Sequence, residues 1–344
     1  MDIKLYDYDL PEGMIAFYPA EPRDSSKLLY LPLSGGKTEH TVFKRFPEFL
    51  RKDDLLVLND SRVFPARLFG RKKETGGKVE IFLLEKMQEN IWEALVRPGR
   101  RLQPGAEVEF FDRKLIARLG DRTASGGRVV HFSSNGDLMS IIWKHGEVPL
   151  PPYIDRAAEE SDKTRYQTVY AENVGAVAAP TAGFHFTEKI FRALKEVGIK
   201  TVKLTLHPGL GTFRPITRAD AEKHQMHEEK YSIPSETADT INKAMADGRR
   251  LIAVGTTTVR ALESSFNNFG EIRPCEMEST GLFIKPPYDF KVIKGLLTNF
   301  HLPKSTLLLL VSALGGRERV LQAYKEAIER SYRFYSYGDA MLLL

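Results

Sequence analysis

Two apolar runs in this chain each break into a cluster of small, hydroxyl and imidazole side chains. The first, VGAVAAPTAGFHFT (residues 174–187), sets Thr181, Gly183 and His185 where small neighbours let backbone amides approach a ligand closely. The second, TVKLTLHPGLGTF (201–213), gathers His207, Gly209, Gly211 and Thr212, with Arg214 just beyond. Its Gly-x-Gly lacks the third glycine and the immediate helix of a dinucleotide fingerprint, so a tight turn explains it as well as a cofactor does. Further on, HQMHEEK holds His224 and His227 three apart, with Glu228 adjacent. Two imidazoles on one helical face suit a metal, but this is not H-E-x-x-H and no further ligand completes a zinc set. Acid–base work or a substrate contact is the better use of His227 and Glu228.

Four more clusters have the same texture. AVGTTTVRALE (253–263) sets Gly255, Thr256 and Thr257 before a helix, offering amides and hydroxyls to a phosphate, carboxylate or ribose. It has neither the lysine nor the spacing of a P-loop, and Arg260 within it is either a ligand contact or solvated. TNFHLPKSTLLLLVSALGG (298–316) reads as a strand end, a polar loop with Asn299, His301 and Lys304, then a buried helix with its core at 307–311. RFYSYGDAMLLL puts Asp339 between aromatic and apolar runs, where a buried carboxylate needs a substrate or a basic residue as partner. LLVLNDSRVF reads as a strand at 55–58, Leu58 its last core residue, with Asn59, Asp60, Ser61 and Arg62 in the loop beyond.

These residues need a scaffold that brings strand ends together. Residues 174–213, with the helix-like EKIFRALKEVG between the two runs, have the pattern of a βαβ unit. Open α/β sheets hold their ligands outside the carboxyl ends of the strands. Strand-like runs at 55–58, 176–179, 202–206, 251–254 and 295–298 alternate with helix-like stretches at 188–197, 235–247, 257–264 and 317–332. Residues 67–150 differ. Short alternating runs such as KVEIFLLEKM, IWEALV and RVVHF, punctuated by Gly and Pro, predict a small β-barrel or sandwich. The fold class expected is therefore α/β: a layered α/β main domain (1–66 and 151–344) interrupted by a small β-barrel-like insertion (67–150).

Composition sets the outer limits. With 344 residues, 42% hydrophobic and 28% charged, the chain is globular rather than disordered. The single Cys275 excludes an internal disulfide and a multi-cysteine metal site, and fits a reducing, cytoplasmic setting. The first residues lack the apolar core of a signal peptide, and the most apolar run, 306–314, is too short to cross a bilayer. Residues 67–150 hold 15 Lys and Arg against 11 Asp and Glu, so +4 of the net +5 lies there. RPGRR, with Arg97, Arg100 and Arg101, is its densest patch. A polyanionic partner would use it, though a solvated turn explains it equally. Strand-end clusters gathered in one α/β domain favour an enzyme over a pure binding module.

Ten ordered segments share a resemblance that spans nearly the whole chain: YDYDLPEGMIA, NDSRVFPARL, RPGRRLQPG, PLPPYI, RYQTVYAENVGAVAAPTAGFHFT, LHPGLGTFRP, MHEE, AVGTTTVRALE, TNFHLPKSTLLLLVSAL and YRFYSYGDAML. Together they resemble the S-adenosylmethionine:tRNA ribosyltransferase-isomerase family of queuosine biosynthesis. Two departures stand out: Pro208 occupies a position where that pattern has valine, and Pro287 follows Pro286 where Pro-Gly is common. The resemblance implies transfer of the ribosyl part of S-adenosylmethionine to the aminomethyl group of a deazaguanine at the tRNA wobble position. Adenine and methionine leave, and the ribose becomes an epoxycyclopentane. It also implies a metal-free monomer with no resident cofactor and no membrane attachment, S-adenosylmethionine being a co-substrate and tRNA the partner, with a β-barrel inserted in an α/β domain.

Set against that chemistry, His185, His207, His227, Glu228 and His301 contain the base and the acid, since the sulfonium acidifies the adjacent ribose methylene. Asp60, Arg62, Thr181, Gly183, Gly209, Gly211, Thr212, Gly255, Thr256, Thr257, Arg260, Asn299, Lys304 and Asp339 are the substrate-binding candidates. Arg97, Arg100 and Arg101 are the tRNA candidates. Two other functions fit the same polar edge: an S-adenosylmethionine-dependent RNA methyltransferase and a noncatalytic RNA-binding protein.

Overall fold

The computed structural model describes residues 1–99, 102–209 and 226–344. Lys27–Leu31 (β1), Glu39–Val42 (β2) and Leu55–Asn59 (β3) enter a nine-stranded sheet, and Ser61–Val63 (β4) leads the chain out of it. Six antiparallel strands follow: Arg67–Lys72 (β5), Lys78–Gln88 (β6), Ile91–Arg97 (β7), Glu107–Phe110 (β8), Leu115–Arg122 (β9) and Arg128–Ser134 (β10). They close into a barrel in the order β10-β7-β6-β5-β8-β9. The alternation along β7 explains the closure: Trp92, Ala94 and Val96 point into the barrel core while the residues between them are more exposed. Leu138–His145 (α1) follows, its N-terminus capped by Asp137, which accepts from Ser140 N at 2.7 Å.

The chain then returns through Asp162–Arg165 (α2), Asn173–Ala176 (β11), Glu188–Glu196 (α3) and Lys200–Leu206 (β12). Glu229–Ile233 (β13), Ser235–Ala246 (α4), Leu251–Val254 (β14), Thr256–Phe269 (α5) and Cys275–Thr280 (β15) come next. Gly295–Asn299 (β16), Thr306–Gly315 (α6), Arg317–Glu329 (α7) and Ala340–Leu343 (β17) complete it. The sheet order is β15-β13-β12-β3-β14-β16-β17-β1-β2. Its centre, β12-β3-β14-β16, is parallel throughout. Leu55, Leu56, Val57 and Leu58 are all buried, as a central strand covered on both faces requires. Four carboxyl ends therefore meet at one edge, where Asn59, Leu206, Val254 and Asn299 end their strands.

The layered α/β class with a closed six-stranded barrel agrees with the sequence expectation. Three local expectations need correcting. The two runs expected to form a βαβ unit do not do so over 174–206: β11 pairs only with β4, in a separate two-stranded sheet. β3 is already flanked by β12 and β14, so it has no free edge for a strand at 176–179. Instead the chain passes into the short helical turn Thr181–His185. Burial also continues past Leu58, because Asn59, Asp60 and Ser61 are buried polar residues. Finally, α5 runs to Phe269 rather than 264, ending where Gly270 takes a left-handed conformation at φ 75°.

Candidate active site at the carboxyl edge of the sheet

The parallel strand ends open into a crevice lined by Thr181, Gly255, Thr256, Thr257, Asn299 and His301, with Tyr153 and Tyr335 as an aromatic wall. Gly255 makes the turn from β14 into α5 at φ 90°, which suits a residue without Cβ. No side chain caps α5, so its first-turn amides retain donor capacity where they line the crevice. Asn59 fixes this end of the sheet: its Nδ2 donates to Leu206 O at 2.9 Å and Thr257 Oγ1 at 3.1 Å. Its Oδ1 accepts from Leu206 N at 3.0 Å and Ser61 N at 3.1 Å. The crevice is narrow, with about 60 Å³ free.

Asn299 links the crevice to a buried imidazole. Thr181 Oγ1 donates to Asn299 Oδ1 at 3.0 Å, and Asn299 Nδ2 faces His185 Nε2 at 3.3 Å. His185 Nδ1 meets Ser26 Oγ at 2.7 Å, so both ring nitrogens are engaged beneath the crevice and none faces it. Donation by the amide makes Nε2 the acceptor and assigns the proton to Nδ1. Burial pushes this imidazole down to about 3, with Arg333 and Arg23 adding to the shift. His301 lines the crevice itself; its Nε2 lies 2.7 Å from Thr298 Oγ1 and burial pushes it down to about 3 as well. Tyr324 Oη accepts from His301 N at 3.0 Å, and Tyr8 donates to His301 O.

A second, wider space of about 530 Å³ lies between the barrel and the sheet. His207, Gly209, His227 and Glu228 line it from the sheet side; Phe64, Leu84, Trp92 and Leu95 line it from the barrel side. Pro208 lines both this groove and the crevice, so the two spaces meet at the turn after β12. His207 Nδ1 is buried with no hydrogen-bond partner. Burial holds its imidazole below the ordinary range, partly opposed by the nearby Asp60 carboxylate. Asp60 itself is buried and accepts from Thr205 Oγ1 at 2.7 Å and from Asn173 Nδ2 at 3.1 Å. The loop is anchored from below: Glu229 accepts from Gly209 N at 3.1 Å and pairs with Arg260.

The remaining candidates lie away from both spaces or serve the scaffold. Arg62 is exposed, its guanidinium 5.1 Å from the centre of the Trp143 ring. Gly183 is required by packing, because a Cβ there would stand 2.1 Å from Tyr170 Oη. Arg260 is buried and spends its donors on Glu229, Leu282 O and Thr280 O. Lys304 pairs with Asp7 at 2.8 Å on the surface. Asp339 is buried and accepts from Lys27 N at 2.9 Å and Arg333 N at 2.8 Å, so it anchors backbone. Arg97 is exposed and sits opposite Glu80 in the barrel, five residues along β7 from the groove-lining Trp92. At strand rise that is about 17 Å. Gly211, Thr212, Arg214, His224, Arg100 and Arg101 lie outside the described residues.

Residue-by-residue reading missed the contributions of Asn59, Glu229, Tyr153 and Trp92. Only Asn59 had a signal, its place at a strand end. Among the described residues, no group of three or more His, Cys, Asp or Glu is placed to hold a metal ion, and no helix is long and apolar enough to cross a membrane.

The family model described as queuosine biosynthesis protein matches residues 3–343. An S-adenosylmethionine:tRNA ribosyltransferase-isomerase from Halothermothrix orenii is 50% identical over 344 residues, covering all of both chains. A protein of the same description from Caldanaerobacter subterraneus subsp. tengcongensis is 48% identical over 337 residues, 98% of each chain. Among solved structures, the crystal structure of an S-adenosylmethionine tRNA ribosyltransferase from Thermotoga maritima is similar, with a TM-score of 0.55 and 37% identity. That match covers 99% of this chain and all of the other.

Proposed function

The chain belongs to the queuosine biosynthesis protein family, and on that premise we propose that it is an S-adenosylmethionine:tRNA ribosyltransferase-isomerase. It transfers the ribosyl moiety of S-adenosylmethionine to the aminomethyl group of the deazaguanine at the tRNA wobble position and isomerises it. Adenine and methionine are released. The observation that supports this best is the junction at Pro208, where a narrow crevice at the strand ends meets a wider groove under the barrel. Two substrates must meet in this reaction, and two spaces share one wall.

The first-turn amides of α5 suit the co-substrate's carboxylate, since a helix N-terminus favours an anion. At about 60 Å³ the crevice takes an anchoring group of S-adenosylmethionine rather than the entire molecule. Tyr153 and Tyr335, stacked at 4.8 Å and 27°, offer an aromatic surface beside it. The sulfonium acidifies the neighbouring ribose methylene, so a neutral imidazole at the junction can remove a proton there. His207 fits that role, because it lines the groove beside Pro208 and burial keeps it neutral. His185 and His301 are held neutral by burial with Nε2 already engaged, which fits them to positioning rather than proton transfer. His227 and Glu228, exposed on the groove, remain for the incoming amine or the leaving adenine.

On this reading S-adenosylmethionine is consumed as a co-substrate, and no resident cofactor or metal takes part. The protein works as a monomer in the cytoplasm. Nuclease digestion of tRNA carrying the aminomethyl-deazaguanine, after incubation with protein and S-adenosylmethionine, tests the proposal by mass spectrometry. The modified nucleoside should gain the rearranged ribosyl unit; a gain of a methyl group alone would overturn it.

A further inference from the structure

The peptide groups of His301, at the wall of the crevice, are held from two sides by tyrosine hydroxyls distant in the chain. Tyr324 Oη, in α7, accepts from His301 N at 3.0 Å, and Tyr8 Oη donates to His301 O. His301 belongs to the irregular stretch between β16 and α6, whose backbone groups find no partners in a strand or helix of their own. Residues 6–8 make three contacts to that stretch. Tyr6 O accepts from Lys304 N at 3.0 Å, Asp7 pairs with Lys304 Nζ at 2.8 Å, and Tyr8 donates to His301 O. Lys304 needs such support, because it sits at φ 55°, a left-handed conformation that is costly for a residue with a Cβ. The Tyr8 ring is fixed in turn, 5.2 Å from the Tyr324 ring at 76° and 6.2 Å from the Phe334 ring at 39°. Burial, with the Tyr324 and Tyr335 phenols beside it, pushes its hydroxyl well above the ordinary range, so it stays protonated and donates.

We propose that Tyr8 is a positioning residue for the crevice, its hydroxyl clamping the His301 peptide opposite Tyr324 so that the wall made by Phe300, His301 and Leu302 keeps its shape. The inference rests on the ribosyl-transfer reading above, with S-adenosylmethionine anchored in the crevice. Tyr8 lines neither the crevice nor the groove, so it acts through His301 and not by touching a substrate. The crevice has only about 60 Å³ free, and a small shift of its wall changes what it can hold. The groove under the barrel is wider, about 530 Å³, and takes no residue from the stretch that Tyr8 holds. Loss of the clamp therefore falls on the co-substrate and spares the tRNA. The same contact keeps the His301 ring in its dry position, with Nε2 2.7 Å from Thr298 Oγ1.

Tyr8→Phe keeps the ring contacts and deletes the hydroxyl. KM for S-adenosylmethionine should rise roughly tenfold, the scale of one buried hydrogen bond, with KM for the tRNA unchanged. Equal constants in variant and wild type would overturn the assignment, and so would the same rise in both KM values, which general loosening of the fold would give. Tyr324→Phe removes the hydroxyl on the other side of the peptide and should give the same split; unchanged constants there would count equally against the clamp. An NMR titration of His301, its resonance assigned by its loss in His301→Gln, gives a readout free of substrate. In the wild type this imidazole stays neutral down to about 3. In Tyr8→Phe, water reaching the ring should move its titration towards the ordinary histidine range, and an unmoved titration would overturn the proposal. Wild-type protein that releases no adenine would instead remove the ribosyl-transfer reading, while the titration would still decide whether Tyr8 holds His301.

Discussion

Arg260 and Glu229 form an ion pair with side chains only 4% and 3% exposed. It ties α5, whose N-terminus lines the crevice, to Gly209 in the loop that walls the groove. Glu229→Gln keeps an acceptor for Gly209 but leaves a buried guanidinium without its counter-charge. Breaking a buried pair by removing one partner costs about 3–5 kcal/mol, which urea unfolding would register. A loss below about 1 kcal/mol would show that the pair does not anchor this loop.

The pH dependence of stability should carry the signature of His185. Its folded value lies near 3, whereas an unfolded histidine titrates near about 6.5. Between those values the unfolded chain binds a proton that the native ring refuses, so stability rises with pH and is lost as pH falls below about 6.5. His185→Gln should flatten the slope of unfolding free energy in that window by up to about 1.36 kcal/mol per pH unit. An unchanged slope would mean that the native ring is protonated there.

Asn299→Asp turns the donor that faces His185 Nε2 into an acceptor. The new carboxylate favours the imidazolium, so His185 should titrate well above its wild-type value in imidazole NMR spectra. Catalysis should fall by roughly a hundredfold, because the side chain keeps its Thr181 contact but loses the Nδ2 donation to His185 that orients it at the crevice. A variant with unaltered His185 titration would contradict the hydrogen-bond direction assigned here.

Gly183→Ala should destabilise the protein by about 1–3 kcal/mol through overpacking against Tyr170. Tyr170 Oη has no hydrogen-bond partner, so deleting it is cheap. The double variant Gly183→Ala, Tyr170→Phe should recover part of the loss in thermal unfolding, since Thr168 Cγ2 at 2.7 Å still crowds the new methyl. No recovery would place the clash elsewhere.

The parts of the site legible in the sequence were those where an apolar run stops at a polar cluster. Val254–Gly255 and Thr298–Asn299 do so in central parallel strands, and β14 and β16 end there. The same grammar misled at 176–179, because Ala176 pairs with β4 outside the main sheet and Ala178 and Ala179 are buried past the end of β11. An apolar run reports burial, not which neighbour has a free edge. Glu229 stayed hidden because the adjacent Glu228 is exposed and only tertiary contact with Arg260 separates the two. Trp92 reads as an ordinary inward residue of an alternating strand, and nothing local says that its N–H lacks an acceptor. Gly183, Lys304 and Asp339 have binding-site chemistry but meet structural partners instead, a distinction the chain makes only once folded.

The most direct test is to count small products. Protein, S-adenosylmethionine and tRNA bearing the aminomethyl-deazaguanine are incubated together, and free adenine, methionine and S-adenosylhomocysteine are quantified by mass spectrometry. Ribosyl transfer is expected to give adenine and methionine in equal amounts, matched to the modified tRNA and absent without that base. S-adenosylhomocysteine in their place, or bound tRNA with no adenine released, would contradict it.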